Sequence, residues 1–184
     1  MSETELTIPE QVTFESAIAL TQELLSKMES GEIKETEIEK TVSNLVRTSN
    51  GARGFFVTYL TAESEIPDHP SPAVLKALET APELVSDLLV KNIAMSTAMA
   101  ITHRRQNNES NAQGSDRVQQ RSLQLCEKLN NNLIPEKAQQ MRDSALTGKG
   151  ETEVAFFERW GYDGQQRSAI AQILENLSSQ NFIN

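Results

Sequence analysis

The stretch PELVSDLLVKNIAMSTAMAITHRR, Pro82 to Arg105, decides the fold class. Leu84, Val85, Leu88, Leu89, Ile93, Met95, Met99 and Ile101 spread around much of the circumference a helix would have, with small Ala94, Ser96, Ala98 and Ala100 between them. Before the basic end, charge survives only at Glu83, Asp87 and Lys91, four apart on one stripe. A helix apolar on most sides is normally surrounded by other helices, and its small residues let those neighbours approach closely. The run free of charge and histidine, Asn92 to Thr102, falls well short of the ~20 residues that span a bilayer. The segment therefore reads as the central helix of a bundle.

Working outward, the other periodic segments are helical too. Phe14 to Met28 carries Phe14, Ala17, Ile18, Leu24, Leu25 and Met28 on one stripe, with Thr13 placed to cap its start and Gly31 its end. Glu23 and Lys27 on the other face stand in the favourable i, i+4 order. Thr36-Glu37-Ile38-Glu39 has the spacing of a capping box and opens a second helix through Ile38, Val42, Leu45 and Val46, which Asn50-Gly51 would end. Gly54 to Leu60 is short, apolar and ambiguous between strand and helix. With no second strand for it to pair with, its backbone groups can be satisfied only as a helix. Ser71-Pro72 starts a further short helix, a hydroxyl cap followed by a proline whose missing N–H costs nothing there.

Beyond the central helix, Asn107 to Gly114 is polar and rich in turn formers, and reads as a surface loop or boundary. Helices follow over Ser115 to Asn130, Pro135 to Leu146 and Glu151 to Trp160. Gly161-Tyr162-Asp163 then makes a stop and restart, with Asp163 and Gln166 at capping-box spacing before the last helix buries Ile170, Ile173, Leu174 and Leu177. The expected architecture is all-α: eight or nine helices around the segment 82–105. A flexible start (1–12) would precede one helical domain (13–184), divisible into sub-bundles 13–106 and 115–184 across the loop 107–114.

The 184 residues carry 26 acidic and 17 basic side chains, net −9, which argues against general nucleic-acid binding and against an anionic membrane surface. Residues 1–50 are net −6, whereas 101–150 are net +3. The single cysteine, Cys126, cannot form an internal disulfide and fits a reducing, cytoplasmic setting. The acidic opening Met1-Ser2-Glu3-Thr4-Glu5 has no features of a secretory signal. Nucleotide-binding glycine loops, nucleophile elbows, His-Glu-x-x-His and the Glu-x-x-His of di-iron bundles are all missing, so the sequence leans away from an enzyme and implies no cofactor.

Three clusters bear chemistry. Glu63, Glu65, Asp68 and His69 share a proline-shaped loop and are the only residues that suggest a metal, though their spacing matches no recognised ligand set. His103, Arg104 and Arg105 complement the negative end of the central helix, an effect worth about 0.3–1 kcal/mol. With Arg117 and Arg121 they are also the candidates for holding a small anion. No aromatic lies between residues 104 and 149, which weakens a nucleic-acid groove there. Phe156, Phe157, Trp160 and Tyr162 hold four of the nine aromatics. Most of this cluster should plug the core, and Phe156, Trp160 and Tyr162 are the candidates for an exposed anchor. Cys126 falls on an apolar stripe and reads as a packing thiol.

Asn50 to Thr61 (NGARGFFVTYLT), Ser71-Pro72, the Val85–Arg105 helix and Arg159-Trp160-Gly161-Tyr162-Asp163 together resemble a group of small soluble cyanobacterial proteins of uncharacterised function. The resemblance covers most of the chain beyond Phe14. It implies a cytoplasmic setting and no particular activity. The expected function is a non-catalytic helical module that docks a protein partner or self-associates. The alternatives are an enzyme or small-anion binder built from the 63–69 loop and the arginines and, behind that, regulatory nucleic-acid binding.

Overall fold

The structure is a computed structural model and describes residues 5–179. Among these residues there are nine α-helices, one 3-10 turn and no strand. In chain order they are α1 (Phe14–Ser30), α2 (Glu35–Leu45), α3 (Ser49–Thr61), the turn Ile66–Asp68, α4 (Pro72–Leu78), α5 (Pro82–Arg105), α6 (Glu109–Lys128), α7 (Leu133–Thr147), α8 (Glu151–Trp160) and α9 (Gly164–Ser178). They fall into two compact units, Met1–Leu88 and Leu89–Asn184, and the division lies inside α5.

No residue of α5 from Leu84 to His103 is exposed, as expected of a central helix. Val85, Leu89, Ile93, Ala94 and Ala98 have no accessible surface. Its buried hydroxyls are satisfied by its own backbone: Ser86 donates to the Glu83 carbonyl at 3.0 Å, Ser96 to Ile93 at 3.1 Å and Thr97 to Ile93 at 2.7 Å. By length and composition α5 could also cross a membrane. More than half of its apolar window is buried inside the protein, as in the core helix of a soluble fold.

In the first unit α1 packs on α3 and α2 on α4. The caps of α1 form as the sequence predicts: Thr13 Oγ1 accepts from the Ser16 amide, and Gly31 closes the helix at φ 70°. Glu23 and Lys27 pair at 3.2 Å, and Ser71 caps α4 with Pro72 behind it. The ambiguous stretch 54–60 is helical and belongs to α3. Phe55, Phe56, Tyr59 and Leu60 fall on one face and are buried, with Phe55 stacked on Tyr59 at 5.0 Å and edge-on to Phe56 at 5.3 Å.

Three local expectations are corrected. The capping box at Thr36 does not form: α2 begins at Glu35 behind Lys34, with no side-chain cap. The carboxylates serve α4 instead. Glu35 Oε2 accepts from the Ala73 amide at 3.2 Å, and Glu39 pairs with Lys76 at 3.0 Å. Asn50-Gly51 does not end α2, which stops at Leu45. It lies in the first turn of α3 behind the Thr48 cap, where a Cβ on Gly51 would come within 2.0 Å of the Leu45 carbonyl oxygen. Finally, 109–114 is not loop but the opening of α6. Asn108 caps it, and Ala112 is fully buried. Of the N-terminal segment expected to be flexible, residues 1–4 lie outside the described residues. Glu5 pairs with Lys40, and Leu6 is buried.

α1 and α3 approach closely at Gly54. A Cβ there would meet Ala17 Cβ at 2.5 Å and the Phe14 carbonyl oxygen at 2.8 Å. Alanine is the better helix former by roughly 0.5–1 kcal/mol. Overpacking a tight contact costs about 1–3 kcal/mol, so the contact decides the sign. Gly54→Ala is expected to destabilise in urea denaturation, and the double variant Gly54→Ala/Ala17→Gly to recover part of the loss. Stabilisation by Gly54→Ala alone would show that this approach is not limiting.

Candidate functional site

The second unit gathers most of the chemistry-bearing residues. The basic end of α5 is tied into neutralising pairs. Arg104 reaches Asp116 at 2.6 Å and Glu109 at 3.1 Å, both on α6. These bonds hold its guanidinium more firmly charged than usual. Arg105 Nη1 bonds Asp163 Oδ2 at 2.6 Å, and its Nη2 bonds the Gln165 side chain. Arg121 is 3% exposed on α6 and Arg117 is half-buried. His103 is half-buried, with its Nδ1 shielded and unbonded. The helix-end reading of these cations therefore gains carboxylate partners that single-sequence spacing could not name. Arg104 donates to two carboxylates, and Arg105 to one carboxylate and one side-chain amide.

Asp163 and Gln166 form the expected capping box at the start of α9. Gln166 does more than cap. Its Oε1 accepts from the Asp163 amide at 3.0 Å, while Nε2 donates to the Ala98 carbonyl at 3.0 Å and to Thr102 Oγ1 at 2.9 Å, both on α5. One buried amide thus closes a helix start and fastens it to α5. Gln119 Nε2 adds a second polar tie, donating to Thr97 Oγ1 at 2.7 Å from α6. Sequence periodicity pointed to neither long-range bond, because nothing in the spacing of polar residues marks them.

The aromatic cluster divides. Phe157 and Tyr162 are buried, Phe156 is half-buried and edge-on to both, at 5.6 and 6.0 Å, and Arg167 lies 5.6 Å over the Phe157 ring. The Tyr162 hydroxyl has no hydrogen-bond partner, and burial pushes its pKa up to about 12. Trp160, in contrast, is 46% exposed, with Arg159 over its ring at 5.4 Å. Of the three anchor candidates, Trp160 is exposed, Phe156 half-buried and Tyr162 buried.

In the first unit, Glu63, Glu65 and His69 are exposed and Asp68 is half-buried around the turn Ile66–Asp68. Among the described residues no three His, Cys, Asp or Glu side chains converge well enough to hold a metal. An open groove of about 570 Å³ includes Glu63 in its wall, but not His69 and not an arginine.

Cys126 is buried at 3% exposure, and desolvation, with a smaller effect from Glu127, pushes its thiol up to about 12. A thiol of this kind stays protonated near neutrality, and the thiolate is the reactive form. Iodoacetamide at pH 8 is expected to leave it unmodified in the native protein and to alkylate it after denaturation, read by intact mass. Rapid native alkylation would overturn the packing role. Asp163 is held below the ordinary carboxyl value of 3.8, first by Arg105 and then by the Gln166 amide. A depressed folded-state pKa stabilises above the unfolded value and is lost as the pH falls through the folded one. Asp163→Asn is therefore expected to lower the melting temperature at neutral pH and to shrink its fall between about pH 5 and about pH 2. An unchanged acid limb would show that the pair contributes nothing.

No curated protein and no solved structure shows a significant match to the sequence. Residues 13–177, from the cap of α1 to the last turns of α9, match the model of a family described as Uncharacterised conserved protein UCP020893, and the chain belongs to that family.

Proposed function

We propose that the protein is a non-catalytic helical module that binds another protein, with Trp160 at the C-terminal end of α8 as its anchor. The carrying observation is the exposure of this indole, 46%, beside buried Phe157 and half-buried Phe156. Phe156 and Trp160 stand four apart, so one α8 face runs from the core out to solvent. A rigid aromatic rooted in packed structure has the character of an interface hot spot, where truncation typically costs 2 kcal/mol or more. Arg159 adds a cation over the same ring and supplies a polar rim.

The remaining chemistry supports the same reading. The lone thiol is inert by burial, and Arg104 and Arg105 are paired to carboxylates. A cytoplasmic setting and a cyanobacterial origin belong to this proposal as well, supported by the single cysteine and by the stretches around Phe55, Val85 and Trp160. Trp160→Ala is expected to keep the melting temperature within a few degrees, because the side chain is half out of the core. In parallel affinity captures from the native host, and in sedimentation equilibrium, it is expected to weaken partner retention or self-association by about tenfold or more. A wild-type protein that stays monomeric and retains nothing, or a variant that retains as much as wild type, would refute the reading.

A further inference from the structure

From the groove between α1 and α3 in the first unit, we infer a second docking surface, independent of Trp160, whose occupant is a basic amphipathic helix of a partner protein. One wall is a single stripe of α1, Ile18, Gln22, Leu25, Ser26 and Glu29, and the other is the end of α3 with the residues after it. From Ile18 to Glu29, eleven residue steps, α1 rises about 16 Å, enough for three turns of a docked helix.

The apolar part of the groove, its floor, is Ile18, Leu25, Val57 and Ala62, four of the eleven lining residues. Among the described residues Val57 is one of three large hydrophobic side chains left exposed, at 42%, and it lies in this groove with Ile18 and Leu25. The threonines in the wall are less polar than their names. Thr58 donates to the Gly54 carbonyl at 2.8 Å and Thr61 to Val57 at 2.6 Å, so both hydroxyl protons are already used within α3. An apolar groove between two helices is the surface onto which amphipathic helices lay their anchors at i, i+3 or i+4, and i+7.

Charge selects the occupant. Glu29 and Glu63 are the charged residues of the lining, and no Lys or Arg is among them. Residues 1–88 hold 16 acidic and 6 basic side chains, net −10, whereas residues 89–184 hold 10 and 11, net +1. The net negative charge of the chain thus lies in the unit that holds this groove. A field of that sign steers a cationic partner in and repels an acidic one. An apolar stripe flanked by Lys or Arg satisfies both the floor and the rim.

The probe is a fluorescein-labelled 18-residue peptide of leucine and lysine with leucine at helical spacing, titrated with the full-length protein by fluorescence anisotropy. Two controls share its length: a scrambled sequence of the same composition and a twin with glutamate for lysine. The amphipathic basic peptide is expected to bind, more weakly as salt rises, with the scrambled and acidic peptides at least tenfold weaker. Val57→Asp adds negative charge yet spoils the floor, so it separates groove docking from general attraction; it is expected to lose at least tenfold. Glu29→Lys should lose affinity as well, and Trp160→Ala should lose none, which keeps this surface distinct from the one on α8. Circular dichroism verifies that each variant is folded. Absence of binding, equal binding of the scrambled peptide, or a folded Val57→Asp that binds as wild type would overturn the inference.

Discussion

From Leu84 to His103 the chain offers water no exposed residue, and that constraint governs the rest of the fold. Half of the residues in that span are buried and the rest half-buried, and a helix can be covered so closely only if its surface is small or smooth. Ala94, Ala98 and Ala100 meet the first condition. Ser86, Ser96 and Thr97 meet the second by turning their hydroxyls back onto carbonyls of the same helix, so none of these three hydroxyls is stranded by the neighbours' approach. The enclosed helix can then accept a few deliberate polar ties, and in the second unit it takes them from Gln119 and Gln166.

The basic end of the same helix carries further ties, to acidic residues of α6 and of the turn before α9. The helix dipole draws cations to the end of α5, and the same cations become the means of fixing α6 and the start of α9. Arg104 takes Asp116 and Glu109; Arg105 takes Asp163, the residue that also caps α9. These are solvent-exposed pairs and individually weak. Their value is positional: each joins a helix end to a helix start, the places where orphan backbone groups otherwise need partners.

Whatever depended on neighbours in sequence was legible before the structure. The Thr13 and Gly31 caps, Ser71-Pro72, the Asp163–Gln166 box and the enclosed character of 82–105 are all local or periodic signals. Two of the misreadings share a cause, a partner beyond the local spacing that prevails over a local one. Glu39 had a cap within three residues and pairs instead with Lys76, thirty-seven residues on. Asn107 to Gly114 has the composition of a loop, yet Asn108 starts a helix there because Ala112 is buried and Glu109 and Asp116 meet Arg104. The helix at 54–60 was reached by the right argument about unpaired backbone. The reason glycine sits at its head, the missing Cβ against Ala17, belongs to the packing alone.

The aromatic cluster shows how little sequence distance separates core from surface. Trp160 and Tyr162 are two residues apart, and the residue between them is Gly161, in the left-handed region at φ 65°. A side chain there would strain the backbone, and glycine lets the chain reverse within one step as α8 ends. The reversal sends the two rings to opposite fates: Tyr162 folds inward against Phe156, its hydroxyl unbonded, while Trp160 stays in solvent under Arg159. Burying a phenol without a partner is costly, and the edge-on contact with Phe156 offsets part of that cost.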